Sequence, residues 1–250
     1  MLKNSDCGLR PPAGRAGIAD LPSPFRGEGL GEGKGNPLEE ILLRLTLNEI
    51  PSAPKKILFR GERVGGIASY TAGWMAGQGM DVIVLDGANR FDPYAVSSYA
   101  RRASISPEEI LKRIRVARAF TCYQMATLMG ERLPELIEEK RSRSWVILLG
   151  PLTTFLDEEV PEREIRHLFE RALKKMEELT LKGVSLFLFQ PSVPSDSRRA
   201  YLSKRLSQFS NLVWRINWDD RETKMVLEKG FLRHSGMRGL DLQSVNPVTL

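Results

Sequence analysis

Apolar residues follow two patterns along the chain: short continuous runs, and longer stretches in which they recur every three or four positions. The runs predict five strands, at residues 56–59, 82–86, 114–119, 145–149 and 184–189. The helical spacing predicts helices between them at residues 68–78, 94–101, 122–132 and 162–181. Another helical turn is expected at "SPEEI", where Ser106 caps it and Pro107 opens it.

The order and character of these elements predict the fold class. Runs such as "VIVLD" and "WVILL" do not alternate with polar residues, so both faces of these strands are expected to be buried in a parallel sheet. Strands that alternate with helices then form a doubly wound layer. Near the end, "NLVWRINW" and "TKMVLEKG" flank "DDRE" and predict an antiparallel hairpin. The prediction is an α/β fold: a mostly parallel sheet, helices on both faces and a C-terminal hairpin.

The first 37 residues differ from the rest. They are rich in glycine and proline and have no apolar period, which predicts a disordered tail. Their glycine-rich "GEGLGEGKG" follows no strand and is not expected to bind phosphate. From Pro37 onward "PLEEILLRLTLNEI" has helical spacing. We therefore predict one α/β domain over residues 38–250.

Composition limits the function classes only partly. The net charge of +6 is compatible with nucleic-acid binding and equally with a solvated basic surface. No apolar run approaches the roughly 20 residues that cross a bilayer, and the N-terminus lacks the apolar centre of a secretion signal. Cys7 and Cys122 indicate neither a disulfide framework nor a metal site. A cytoplasmic protein without a metal or a membrane partner is predicted.

The candidate chemistry begins with "GERVGGIA", which follows the first strand. In the phosphate-loop pattern G-x-x-x-x-G-K-[ST], a lysine contacts the phosphates and a hydroxyl binds Mg²⁺. Here Gly61 and Gly66 match, but Ile67 and Ala68 replace the lysine and the hydroxyl. Losing one charge-assisted contact costs roughly 1.5–3 kcal/mol. Two interpretations fit: an anion site with Arg60 or Arg63 as the cation, and a plain strand–turn–helix without a ligand. The residues of the loop that could contact a nucleotide are Gly61, Glu62, Arg63, Gly65 and Gly66.

The segment "VIVLDGANRFDPYAVSSYARRASISPEEILKRIRVARAFTCYQMATLM" resembles RecA-like recombinases, most closely the archaeal and eukaryotic branch, and the related KaiC-type ATPases. The resemblance spans roughly residues 56–230 and rests on matches at Asp86, Phe91, Pro93, Pro107, Glu108, Glu109, Ala117, Arg118, Ala119 and Gln124. It implies a RecA-like core.

The same resemblance implies that the ATPase residues are missing. The water-activating glutamate falls at Ala88, and the Walker B aspartate falls at Gly150, before Pro151. Only Gln190 matches, at the position of the glutamine that senses the γ-phosphate. Because phosphoryl transfer depends on positioning and charge, we predict degenerate Walker A and B motifs, no catalytic residue and no bound cofactor. Weak ATP binding through substitute residues is the alternative.

The resemblance also places a DNA-contacting loop after Gln190. The stretch "PSVPSDSRRAYLSKRL" contains Arg198, Arg199, Lys204 and Arg205, which suit phosphate contacts or a solvated surface. The position of the first DNA loop, "PLTTFLDEEVPEREI", is acidic and argues against a recombinase filament on DNA. Three functions stay open: an accessory module in DNA recombination or repair, an ATP-binding enzyme, and a nucleotide-independent DNA-binding protein. The partners implied are DNA, another RecA-like or repair protein, or further copies of the chain.

Overall fold

The computed structural model describes residue 42 and residues 56–139, 144–194, 196–219 and 222–230. The predicted tail at residues 1–37 and most of the helix predicted after Pro37 lie outside the described residues. The same holds for the start and end of the predicted domain.

Seven strands form one sheet in the order β3-β2-β4-β5-β1-β6-β7. Their bounds are β1 Lys56–Gly61, β2 Asp81–Asp86, β3 Ile114–Arg118, β4 Ser144–Leu149, β5 Leu186–Pro191, β6 Leu212–Asp219 and β7 Glu222–Lys229. Neighbouring strands from β3 to β6 are parallel, and β6 and β7 are antiparallel. The mostly parallel α/β sheet and its C-terminal antiparallel pair confirm the predicted fold class.

The helices include those predicted, in the predicted order, and one that was not predicted, at Ala200–Phe209. They are α1 Val64–Gly77, α2 Pro93–Arg102, α3 Pro107–Lys112, α4 Cys122–Thr127, α5 Leu133–Glu139, α6 Glu162–Leu181 and α7 Ala200–Phe209. A π-helical segment at Leu128–Arg132 joins α4 to α5, and a 3-10 helix covers Thr153–Leu156. No helix in these parts of the chain is long and apolar enough to cross a membrane.

The sheet separates two hydrophobic cores. Strand residues alternate between them, so Ile57 and Phe59 pack on one side with α1, α2 and α3. Leu58 packs on the other side with α4, α5, α6 and α7. β3, at the edge of the sheet, exposes Arg115, Val116 and Arg118, but the central strands β1, β2, β4 and β5 have almost no exposed side chains. Burial on both faces explains their uninterrupted apolar runs.

Two helix boundaries differ from the prediction. The first helix begins at Val64 instead of residue 68, which converts half of the supposed loop into helix. The helix predicted over residues 122–132 passes through the π segment and continues to Glu139. Pro134 has no N–H to donate to the carbonyl one turn earlier, and the wider π turn lies directly before it.

Candidate functional site

The positions that the resemblance assigns to ATP chemistry meet at one edge of the sheet, where the parallel strands have their carboxyl ends. Gly61 ends β1, Ala88 follows β2, Gly150 follows β4, and Gln190 lies near the end of β5. The backbone N–H of Ala88 donates to the carbonyl of Leu149 at 3.3 Å, which holds the ends of β2 and β4 together. This edge, the carboxyl edge, is also where ligands bind in open α/β sheets.

Space at the carboxyl edge explains the absence of one expected carboxylate, the aspartate that the resemblance places at Gly150. Gly150 has φ +63°, and a Cβ atom there would lie 2.5 Å from the Cβ of Ala88. A real side chain at Gly150 would therefore need both backbone strain and displacement of its neighbour. An aspartate at Gly150 does not fit this backbone.

The glycine loop is shorter than the sequence pattern suggests. Only Glu62 and Arg63 connect β1 to α1, and Gly66 already lies in the first helical turn. β1 and β6 approach each other closely at Gly61, where an added Cβ would lie 2.0 Å from the carbonyl oxygen of Ile216. Only glycine fits this close approach. Gly65 packs against Arg90, whose Cβ would be 3.1 Å from an added Cβ. Packing thus accounts for two of the glycines.

Ile67 and Ala68 point into the protein. Their side chains are 3% and 0% exposed and belong to the core between the sheet and α1. Ser69, the next residue, donates its hydroxyl to the carbonyl of Gly65 at 2.9 Å and accepts the N–H of Asp92 at 2.9 Å. The positions of the lysine and the hydroxyl in a phosphate loop are therefore core positions in this fold.

Gln190 is buried and its amide is engaged at both ends. The Oε1 atom accepts the N–H of Leu152 at 2.9 Å, and Nε2 donates to the carbonyl of Pro191 at 3.0 Å. These bonds join β5 to the segment after β4. Gln190 could contact a phosphate only if these two hydrogen bonds were broken.

A cavity of about 270 Å³ opens where β1 and β5 end. The helices after these two neighbouring strands, α1 and α7, pack on opposite faces of the sheet, which leaves a crevice between the strand ends. Residues that line it include Gly61, Glu62, Gln190, Ser192, Arg215 and Asn217. A second cavity, of about 440 Å³, continues along α7 past Lys204.

The cations of this crevice are already paired. The Nε of Arg60 donates to Glu228 Oε2 at 2.7 Å, and the Nε of Arg215 lies 3.3 Å from Oε1 of the same carboxylate. Arg60, one of the two substitute cations considered from the sequence, is thus held by β7. The crevice offers polar contacts to a small ligand.

The four candidate DNA contacts separate into two pairs. Arg198 and Lys204 are exposed. Arg205 forms two hydrogen bonds with the carboxylate of Glu170, at 2.7 and 2.9 Å. Arg199 is 5% exposed, and its guanidinium donates to the carbonyl oxygens of Phe155, Asp157 and Val160. In this conformation Arg199 fastens the segment after β4 to the start of α7.

We expect Arg199→Ala to lower the free energy of unfolding by about 2–3 kcal/mol, because buried carbonyls lose charge-assisted hydrogen bonds. Arg198→Ala, at the exposed neighbouring position, is the matched control and is expected to change it by less than about 0.5 kcal/mol. Urea unfolding followed by far-UV circular dichroism measures both. Equal effects of the two substitutions would contradict the structural role of Arg199.

Two titratable groups near the end of β3 have raised pKa values. Burial raises the pKa of the Cys122 thiol, which keeps it protonated at neutral pH. A hydrogen bond from Tyr123 to Glu164, at 2.9 Å, raises the pKa of the Tyr123 phenol. Neither shift activates a nucleophile. Within the described ranges, no group of three or more metal-binding side chains occurs.

Sequence reasoning assigned no role to Asp86. Its buried carboxylate accepts the N–H groups of Arg90 at 3.2 Å and Phe91 at 2.9 Å. The Nε of Arg118, at the end of β3, lies 3.6 Å from the same carboxylate. Asp86 therefore ties the segment after β2 to β3. An aspartate between an apolar strand and a turn, as in "VIVLDGANRF", is the sequence signal for this role.

No family model matches this chain. What the structure shows is the fold class, an α/β fold with a mostly parallel sheet.

Proposed function

We propose that the protein is a RecA-like α/β protein that does not hydrolyse ATP and acts as an accessory or interaction module in DNA recombination or repair. The resemblance to recombinases over roughly residues 56–230 supports the class of process. The two-residue connection between β1 and α1 supports the loss of hydrolysis most directly. It leaves no loop of backbone N–H groups in which a triphosphate could be enclosed.

The rest of the carboxyl edge supports the same proposal. Hydrolysis needs a metal ligand and a group that positions water, and the corresponding places hold Gly150 and Ala88. A Cβ added at Gly150 would lie 2.5 Å from the Cβ of Ala88, so an aspartate cannot be placed at Gly150 without displacement. The amide of Gln190 is occupied by the protein's own backbone. Such an edge preserves the architecture of the fold without its phosphoryl-transfer chemistry.

Weak ATP binding is the second candidate, because the crevice at the ends of β1 and β5 is a place where α/β proteins hold ligands. Arg63, in the connection between β1 and α1, is exposed and would supply the cation for a phosphate. This candidate differs from the first in requiring a nucleotide.

Calorimetric titration of the full chain with ATP, with and without Mg²⁺, separates the two candidates. We expect no Mg²⁺-dependent binding tighter than about 100 µM, which corresponds to about 5.5 kcal/mol, and no phosphate release above the protein-free rate. The Arg63→Ala variant serves as the control for any binding that is seen. Tight Mg²⁺-dependent binding that Arg63→Ala abolishes would overturn the first candidate and support the second.

A further inference from the structure

Three aromatic side chains are strongly exposed among the described residues: Tyr94 (81%), Phe120 (67%) and Tyr123 (47%). Tyr94 follows the carboxyl end of β2, and Phe120 and Tyr123 follow that of the neighbouring strand β3. The helix with Tyr94 packs on one face of the sheet and the helix with Tyr123 on the other. Single exposed apolar residues are common on protein surfaces, but three exposed rings after two adjoining strand ends make this part of the surface a candidate binding site. We call this surface, formed by Arg90, Tyr94, Arg118, Phe120 and Tyr123, the β3 corner.

The protein's own contacts hold the β3 corner together. The Asp86 carboxylate accepts the N–H of Arg90 and lies 3.6 Å from the Arg118 guanidinium. Phe120 donates its backbone N–H to the side chain of Gln124 at 2.8 Å. The Tyr123 hydroxyl donates to Glu164 at 2.9 Å, and the residue remains 47% exposed. The rings are thus presented on segments fixed by hydrogen bonds.

Arginines accompany the rings along the chain. Residues 115–123, "RVARAFTCY", contain two exposed arginines and no acidic residue. The segment of Tyr94 contributes the exposed Arg90, together with one carboxylate, Asp92, which accepts the N–H of Tyr94. Along the chain, exposed arginines thus lie near Tyr94 and Phe120, whereas the charged group that contacts Tyr123 is the carboxylate of Glu164.

An apolar cavity of about 360 Å³ adjoins the β3 corner. It is lined by Phe91, Pro93, Leu111, Ile114, Val116 and Arg118. Most of its lining is apolar, and Arg118 contributes the one charged side chain of the lining. A flat ring with polar edges fits such a cavity better than a charged group does.

We propose that the β3 corner binds single-stranded nucleic acid: its rings stack on bases, its arginines contact phosphates, and the adjoining cavity receives one unstacked base. Rings interleaved with cations are how proteins hold single strands without reading their sequence. A protein ligand is less well matched, because the rings are separated by charged residues and form no continuous apolar patch. The inference rests on the proposed function in taking DNA as the partner, but it moves the contact surface from α7 to β3.

Binding of the full chain to a fluorescein-labelled oligothymidylate, measured by anisotropy over a salt series, tests the proposal. Phe120→Ala is expected to weaken binding by roughly five- to a hundredfold, which is the effect of losing one stacked base. Its salt slope should stay unchanged. Arg90→Ala and Arg118→Ala should each reduce the slope of log K against log salt by about 0.7. An oligouridylate of the same length, which differs in the 2′-hydroxyl and lacks the base methyl group, shows whether binding is confined to DNA.

Leu181→Ala, which removes an equally exposed apolar side chain (80%) at the end of α6, is the matched control and should bind as the unmodified protein does. The double variant Arg198→Ala, Lys204→Ala represents the competing surface on α7. If that variant loses binding while Phe120→Ala retains it, the β3 corner is wrong and the DNA function stands.

If the unmodified protein binds neither oligonucleotide at low salt, the proposal for the β3 corner is wrong and direct binding of single-stranded DNA is excluded, while an accessory role through a protein partner is unaffected. The ATP titration above still decides the question of hydrolysis separately. Self-association that Phe120→Ala abolishes, in a protein that binds no oligonucleotide, would identify the corner as a contact between copies and overturn the proposal.

Discussion

The double variant Ile67→Lys, Ala68→Thr, which completes the phosphate-loop pattern in the sequence, is expected to lose about 4–6 kcal/mol of unfolding free energy and to gain no ATPase activity. Removing a buried isoleucine side chain costs roughly 2–5 kcal/mol, and a lysine in the same place adds a desolvation cost. The two positions are 3% and 0% exposed. Urea unfolding and a phosphate-release assay measure the two effects.

Gly66→Lys provides the matched control. It introduces the same side chain one residue earlier, at an exposed position with no atom within 4 Å of an added Cβ. The gain from replacing a helical glycine and the cost of a cation near the helix N-terminus are each within about 1 kcal/mol and oppose each other. A double variant as stable as Gly66→Lys, or one that releases phosphate, would show that Ile67 faces the ligand side of the loop.

The sequence predicted the layers of this fold well, because strands buried on both faces appear in the sequence as continuous apolar runs. Strands such as β4 and β5 are uninterrupted apolar runs with almost no exposed side chain. The start of α1 was harder to place. Val64, Gly65 and Gly66 are poor or neutral helix formers, so their helical conformation is set by packing and by the short connection from β1.

The candidate site was predictable only in part. The resemblance indicated which positions to compare, and the parallel strands bring those positions to one edge. The partners of the arginines were not predictable. Arg198 and Arg199 are adjacent and chemically identical, yet one is exposed and the other binds three carbonyls. The hydrogen-bond partners of long side chains are set by residues that are distant in the sequence, so the sequence pattern around an arginine does not show them.

The β1–β6 contact gives the second large expected effect: Gly61→Ala should lower the free energy of unfolding by about 3–5 kcal/mol, the sum of backbone strain and overpacking. Gly61 has φ +144°, and its added Cβ would lie 2.0 Å from the carbonyl oxygen of Ile216. Because that atom belongs to the backbone of a paired strand, it cannot rotate away. Urea unfolding again provides the measurement.

Gly79→Ala separates the two causes. Gly79 also has a positive φ, +81°, but nothing lies within 4 Å of its added Cβ. Its substitution therefore reports strain without a clash and is expected to cost about 1–2 kcal/mol. The difference between the two variants measures the close approach of β1 and β6. If Gly61→Ala costs no more than Gly79→Ala, the strands have room for a side chain, and the glycine at the end of β1 would again need a ligand to explain it.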